Sequence, residues 1–549
     1  MKYVYKKIAF ILSIFLFLLV FVSGCKRAFL DASNPNEITE QTFWKNENDI
    51  QAAVAAVYSP LRLPLYSYWG AFTGFQDINA IGDDVVTIPG EEPATWQIAT
   101  FTNDPNNGDA SSTFQKMYMT IYRANLVIAN IDKVPLDATK KASYLGEVKF
   151  LRGLSYFILV SNYGDVPLRL KPTETSDDQF IPSSKAEDVW KQVVADFTDA
   201  AASLPAQRPG SEYGRATSGS ALAYLGKSYL FQKDYPKAET TLAKLQQSPY
   251  NYSLLTDYGR NFTNQNKSNN PEAVFQWVYG PFGDPTNPWA EEQSNSGMFQ
   301  YFAQLIGPPG GGGWFKYVPD VSIVKAYMQE PRIAGSDTKF DKRMYASLFW
   351  KQSEFGESDK TWYAGSSFDK LWASARPKIV RLYPAFNHDT TTYGRFLIRK
   401  MTNSWSSNAN ADNYWGPTPS DANYIIMRYA EILLMHAEAA IVNGNLPAAL
   451  SDINTIRNRA GLVSKTSAQL PDKASMMTEM KHQKQLEFFF EQKRWDDLKR
   501  WNEPADLKQL FIQKGKQGAN NFQPKNYIFP IPSGEIQTNN KLEQNPLWK

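Results

Sequence analysis

The sequence predicts a mainly α-helical protein, a tetratricopeptide-like helical scaffold carrying a large loop-rich insert with short strands. Three observations lead there. Apolar residues recur at three-and-four spacing through most of the first half. A helix-turn-helix pattern of small and apolar residues occurs twice, 449 − 238 = 211 positions apart when Ala238 is laid on Ala449. Between the two copies the composition turns to Gly, Pro, Asn and Ser, with few helical periods.

In chain order, Lys2, Lys6 and Lys7 precede the apolar run 8–22, which ends at Ser23 and Gly24 directly before Cys25. Positive, apolar and small residues in that order make a secretory signal peptide, and the run falls short of the roughly 20 residues of a membrane span. The quartet Val22, Ser23, Gly24, Cys25 resembles a bacterial lipobox, with Val22 where Leu is commoner. It predicts loss of 1–24, lipid on Cys25 and a single lipid-tethered body over 25–549. Residues 48–58, 117–131, 142–161 and 189–204 carry helical periods, the third closed by Gly164 and Pro167 and the fourth by Pro205. Leu222, Leu225, Gly226 and Tyr229 then occupy first-helix repeat positions, and Ala238 and Leu242 second-helix positions. The weaker copy has Leu433, Ala437 and Ala440 followed by Ala449 and Ile453. Its turn, Asn445, Leu446, Pro447, matches Asp234, Tyr235, Pro236. Copies so far apart fit a solenoid-like core with an insertion better than a tandem array. The body thus divides into a helical part over 28–258, the insert over 259–420, and 421–549, where 424–442 and 478–500 read as strong helices before an extended, Pro-broken tail.

Composition narrows the chemistry. The 549 residues hold 58 Lys+Arg against 55 Asp+Glu, with three His and one Cys. The three excess cations are the signal-peptide lysines, so the remaining body is balanced, which argues against nucleic acid as a partner. One Cys excludes an intrachain disulfide framework, and few His leave little for a metal, so neither metal nor cofactor is expected. There is no Gly-x-Ser-x-Gly elbow, no His-Glu-x-x-His helix and no phosphate loop. The glycines at 310–313 lead into Trp314 rather than Lys and Ser/Thr, and are expected to present that ring flexibly. The pairs Asp83/Asp84 and Glu91/Glu92 are expected in turns or on a surface face rather than as a glycosidase acid and base. His388, His436 and His482 have no evident partners, and Lys493/Asp497 and Asp496/Arg500 read as helical i,i+4 pairs. No catalytic residue is expected.

The aromatic residues remain. Of 15 Trp, eight fall in the insert. A sugar ring has apolar C–H faces and polar edges, so a glycan binder needs Trp or Tyr platforms rimmed by polar groups. Trp69, Trp96, Trp289, Tyr301 and Trp314 are the candidate platforms, set among Gly, Pro and Asn; Arg62, Asp77, Asn79 and Asn103 are the candidate rim.

With these residues in view, the sequence resembles the SusD/RagB family of Bacteroidetes outer-membrane nutrient-binding lipoproteins. Phe29, Leu30, Asp31, Pro35, Phe43 and Trp44 follow the lipobox; Arg152, Tyr156, Phe157 and the run 162–168 come next; then Gly214, Arg215, Ala216 and Thr217. Arg428, Tyr429, Ala430, Glu431, Leu433, Ala437 and Glu438 lead to Asn454, Arg457, Arg459, Ala460 and Gly461. The end carries Phe529, Pro530, Ile531, Pro532, Glu535, Gln544, Asn545, Pro546 and Trp548. The resemblance implies non-enzymatic capture of oligosaccharides, or in some branches peptides, handed to a SusC-like TonB-dependent outer-membrane transporter. It also implies an aromatic arc drawn from the early segment and the insert. A secreted glycoside hydrolase and a protein-interaction scaffold are the other readings.

Overall fold

The structure, a computed structural model, describes residues 3–4, 7–8, 43–62, 77–88, 93–265, 270–279, 305–311, 313–362, 366–382, 395–402 and 422–549. Cys25, Trp69, Trp289, Tyr301, Glu91, Glu92 and His388 lie outside them. No described helix is long and apolar enough to cross a membrane.

The first half is helical as expected: α1 (Glu47–Arg62), α2 (Asp77–Ile81), strand β1 (Val85–Thr87), α3 (Pro93–Ala99), α4 (Gly108–Asn130), α5 (Ala138–Tyr163), α6 (Ala186–Ser203), α7 (Ser218–Phe231) and α8 (Tyr235–Ala243). The insert contributes β2 (Ala273–Trp277), β3 (Tyr317–Pro319), α9 (Val321–Gln329), α10 (Lys342–Ser347), β4 (Leu348–Trp350), α11 (Phe368–Leu382) and β5 (Phe396–Ile398). After it come β6 (Tyr424–Arg428), α12 (Tyr429–Asn443), α13 (Leu446–Arg459), α14 (Lys473–Phe488), α15 (Arg494–Trp501), α16 (Pro504–Gln513) and α17 (Ser533–Thr538).

Sequential neighbours stack from α4 through α8, with α1 laid against α4, and α8 then packs directly on α12, from which the stack continues through α13 to α14. The two repeat copies are therefore adjacent in space, and the insert leaves and rejoins the scaffold between them. Its stem is an antiparallel pair, β2 on β6, with Ala273 opposite Arg428 and Trp277 opposite Tyr424. The small residues let the helices close: a Cβ on Gly226 would lie 2.6 Å from Leu242 Cγ, across the α7–α8 contact. Both repeat turns use one device. Asp234 and Asn445 are the N-cap residues, each with Pro at the second helical position, and the Asp234 side chain also accepts from Lys237 N. The residue before each cap is left-handed, Lys233 at φ 59° and Gly444 at φ 90°. Only the second copy has the residue that suits this conformation. Lys233→Gly is expected to raise stability by about 0.5–1 kcal/mol, read from the urea midpoint, because it relieves a strained lysine.

Two expectations need correction. The insert is not only loop and strand. Phe368, Leu371, Ala375 and Ile379 line the buried face of α11 at helical spacing, a period hidden by the intervening Lys, Arg and Pro377. Ile323, Val324 and Tyr327 do the same in α9 behind its Asp320 N-cap. Nor is 478–500 one helix. It breaks at 489–493, where Phe490 and Gln492 take φ 60° and 63°. The i,i+4 pairs expected there give way to buried partners: Lys493 reaches Glu431 (3.0 Å), and Arg500 reaches Glu438 (2.6 Å) and Asp497 (2.7 Å).

Buried charge ties insert to scaffold. Arg428 donates Nη1 to Glu272 Oε1 (2.7 Å) and to Glu487, and Nε to Glu491 Oε2 (2.8 Å). Arg343 pairs with Asp341 (2.6 Å) and Glu487 (3.2 Å), Lys400 with Glu491 (2.5 Å), and Arg459 with Glu272 (3.2 Å) and Glu487. Four cations thus meet four carboxylates out of water, drawn from the insert and from β6, α13, α14 and the residues just after α14.

Candidate functional site

The early segment and the insert meet in one strand pair. β1 runs antiparallel to β3, Val85 opposite Pro319 and Thr87 opposite Tyr317, and Ile88 N continues the ladder to Lys316 O (3.0 Å). Beneath it lies an apolar core shared by the two segments, which includes Val86 and Ile88 from the first and Phe315, Val318, Phe349 and Leu397 from the insert. Trp314 precedes β3 and Trp96 sits on α3, which packs against β1; both rings are half-buried. The structure thus links the segments carrying two of the five expected platforms.

The segment around Trp314 is tied to its surroundings by several contacts. Lys378 Nζ from α11 donates to the Trp314 carbonyl (2.7 Å), and Lys316 Nζ lies 5.1 Å from the ring centroid. Gly310 N donates to Ser374 Oγ (2.6 Å). A Cβ on Gly313 would come within 1.9 Å of Gly307 O, so glycine serves close backbone approach here. The next residue, Phe315, is buried at φ 56°, a strained conformation that fixes where the indole emerges. Trp96 is set through its neighbours: Gln97 Oε1 accepts from Asn107 Nδ2 (3.0 Å), and Asn107 caps α4.

The expected rim fares differently. Arg62 ends α1 and Asp77 begins α2. Asn79 is buried, its Oδ1 accepting from Gln492 N (2.7 Å) at the strained break after α14, so it supports the chain turn instead of a ligand. Asn103 is also buried. Of the eight insert tryptophans, Trp277, Trp350 and Trp362 are core residues, which accounts for part of the compositional excess.

The Asp83/Asp84 turn is not on the surface: the residues are 3% and 2% exposed. Burial opposes ionisation of Asp83, but Arg494 (Nε, 2.5 Å) and Lys514 hold its carboxyl well below the usual range. Burial and the adjacent Asp83 charge push Asp84 up to about 7. Neither reaches solvent, so this pair cannot serve as a glycosidase acid and base. His436 and His482 have carboxylate partners that the sequence did not reveal, Asp452 and Glu330, each at 2.5 Å. Among the described residues no group of three or more His, Cys, Asp or Glu could hold a metal ion.

One feature escaped sequence reasoning altogether, a tyrosine-lined cleft at the start of α7 formed by Tyr213, Tyr250 and Tyr252. Its only trace in the sequence is the alternation of Tyr250 and Tyr252.

A continuous helical-repeat scaffold with an insert that presents aromatic side chains defines the class. The chain belongs to the SusD family: the family pattern matches residues 271–548, and a second, described as starch-binding associating with outer membrane, matches 28–230. It is 25% identical to SusD-like protein P2 of Formosa agariphila, over 97% of this chain and 98% of that one. Its structure is similar to the crystal structure of a SusD superfamily protein from Bacteroides vulgatus, with TM-score 0.76 and 26% identity over 92% of this chain and 100% of the other. It also shares the fold of surface glycan-binding protein A from Bacteroides thetaiotaomicron in complex with laminarihexaose, with TM-score 0.70 and 20% identity over 91% and 99% of the chains.

Proposed function

We propose that this protein is a non-enzymatic, lipid-anchored surface glycan-binding protein of the outer membrane, delivering oligosaccharides to a SusC-like TonB-dependent transporter. The observation that carries the reading is the placement of the half-buried Trp314 beside the β1–β3 pair, its backbone tied to α11, in a fold shared with a protein that holds laminarihexaose. A half-buried indole whose backbone is fixed loses little freedom on stacking against a sugar. Trp96, Trp69, Trp289 and Tyr301 complete the proposed arc, with Arg62 and Asp77 as polar neighbours. Lipid on Cys25, at the end of the lipobox-like quartet 22–25, would hold the body at the membrane.

Calorimetry against neutral oligosaccharides, laminarihexaose included, is the test. Trp314→Ala is expected to weaken binding about tenfold to hundredfold, the cost of truncating an aromatic anchor. Unchanged affinity in Trp96→Ala, Trp289→Ala and Trp314→Ala would reject the site. Cleavage of the bound glycan would reject the non-enzymatic reading. Cys25→Ala should shift the protein from the membrane to the soluble fraction.

A further inference from the structure

We propose that the cleft between α1, the entry to α7 and β2 is a second saccharide-binding site, separate from the face bearing Trp96 and Trp314. The inference rests on the glycan-binding reading above and adds a site to it. Two cavities of about 400 and 390 Å³ share one wall, made of Tyr213, Gly214, Arg215 and Gln276. The first opens past Tyr250, Asn251 and Tyr252; the second opens past α1 at Gln51, Ala55 and Tyr58. No lining residue belongs to α3, β1, β3 or α11. The wall is firm: Gly214 sits at φ 90°, where a Cβ would fall 2.2 Å from Val278 Cγ2.

The aromatic part is preorganised. Tyr250 and Tyr252 lie two residues apart on an extended segment, with ring planes 3° apart and centroids separated by 6.2 Å. The Tyr250 hydroxyl lies 3.1 Å from Ser218 Oγ, and the Tyr252 hydroxyl lies so close to Gly219 that a Cβ there would come within 2.2 Å of it. Glycine at 219 therefore lets the ring seat against the first turn of α7.

Charge selects the ligand class. Arg208 and Arg215 line the cleft, but both are engaged by Glu147, at 3.0 and 2.5 Å, and by Glu212, at 3.1 Å each. Two guanidinium groups against two carboxylates leave no net charge to attract an anion. The remaining polar lining includes the carboxamides of Gln207, Asn251, Asn270 and Gln276. Fixed aromatic rings with amide donors and acceptors, and compensated charge, match a neutral polyhydroxylated ring.

Hydrogen exchange on the mature protein with laminarihexaose and other neutral hexasaccharides tests this. Protection is expected over 206–217 and 248–253, and it should persist in Trp314→Ala. Tyr213→Ala, and separately Asn251→Ala at an exposed position, should raise the concentration needed for that protection about tenfold. Protection confined to 93–99 and 305–318 with every saccharide would overturn this inference and leave the proposed function standing. No protection anywhere would overturn both. Protection of the cleft by unstructured peptides but by no saccharide would overturn it in favour of a peptide site.

Discussion

Arg428→Met is expected to destabilise the protein by about 3–5 kcal/mol, because it leaves a buried carboxylate without its counter-charge. The guanidinium is 2% exposed and satisfies Glu272, Glu487 and Glu491 together, with a further bond from Nη2 to Glu487 O at 2.8 Å and the Phe488 ring centroid 4.4 Å away. Methionine keeps most of the aliphatic stem and removes the charge. Arg343, Lys400 and Arg459 would then face Asp341, Glu272, Glu487 and Glu491, three cations against four anions out of water. Arg428→Lys keeps the charge but loses the fork that reaches three partners, so it is expected to cost less, about 1–3 kcal/mol. Urea midpoints of the two variants separate the charge from the geometry. A methionine variant within about 1 kcal/mol of the parent would show that the network closes without Arg428. The first region to lose hydrogen-exchange protection should be the stem, 273–277 and 424–428, since Arg428 fastens it.

This network explains which parts of the molecule the sequence disclosed. Several of the signature residues that carry the family resemblance are buried charges: Arg152 on Asp196 (2.7 Å), Arg215 on Glu147, Arg428, Arg457 on Glu330 (2.9 Å), Arg459, and Glu431 with Lys227 (3.0 Å). They are legible because a buried ion pair fixes residue type at both ends, just as Gly226 is fixed by Leu242. The scaffold could thus be read from periodicity and the spacing of small residues. The site could not. Asn79 looked like a rim residue but supports a backbone turn, and the glycines before Trp314 looked flexible but serve contact with Gly307 and Ser374. The partners of Gly310 and Asn79 lie 64 and 413 positions away, and no local spacing encodes them. The tyrosine cleft has the same character, joining 51–58, 206–217, 250–252 and 270–278.

The same buried charges give stability a steep acid limb. Burial by itself would raise the Glu431 carboxyl, but Lys227 and Lys493 outweigh it and hold it down to about 2; Arg500 and Lys484 do the same for Glu438, also about 2. Folded carboxyls lowered in this way bind fewer protons than unfolded ones between about pH 2 and 4.5, so stability rises with pH across that window. Their contribution is complete above the unfolded value and lost as pH falls towards 2, about 3 kcal/mol for each group. Two buried lysines act at the other end. Burial lowers Lys400 and Lys516 to about 8, only partly offset by Glu491 in the first case and Asp320 in the second. An unfolded lysine stays protonated to about 10.4, so the unfolded chain again binds more protons, and stability climbs further between about pH 8 and 10. Above that, burial holds the Tyr258 and Tyr327 hydroxyls protonated in the fold while unfolded tyrosines ionise near 10, and the sign reverses. Burial and the Asp83 charge hold the folded Asp84 at about 7, so between about pH 4 and 7 the fold binds more protons than the unfolded chain and this group lowers stability as pH rises. Urea unfolding from pH 2.5 to 10.5 should therefore show a rise to about pH 4.5, a decline towards 7, a second rise beginning near 8, and a fall above about 10. Glu431→Gln should remove about 3 kcal/mol of the acid limb, and because Glu431 also favours the charged forms of Lys227 and Lys493 it should let both deprotonate at lower pH in the fold. A profile flat from pH 5 to 2.5 would mean that Lys227 and Lys493 do not hold Glu431 ionised, and the assignment of the acid limb to these buried pairs would fail.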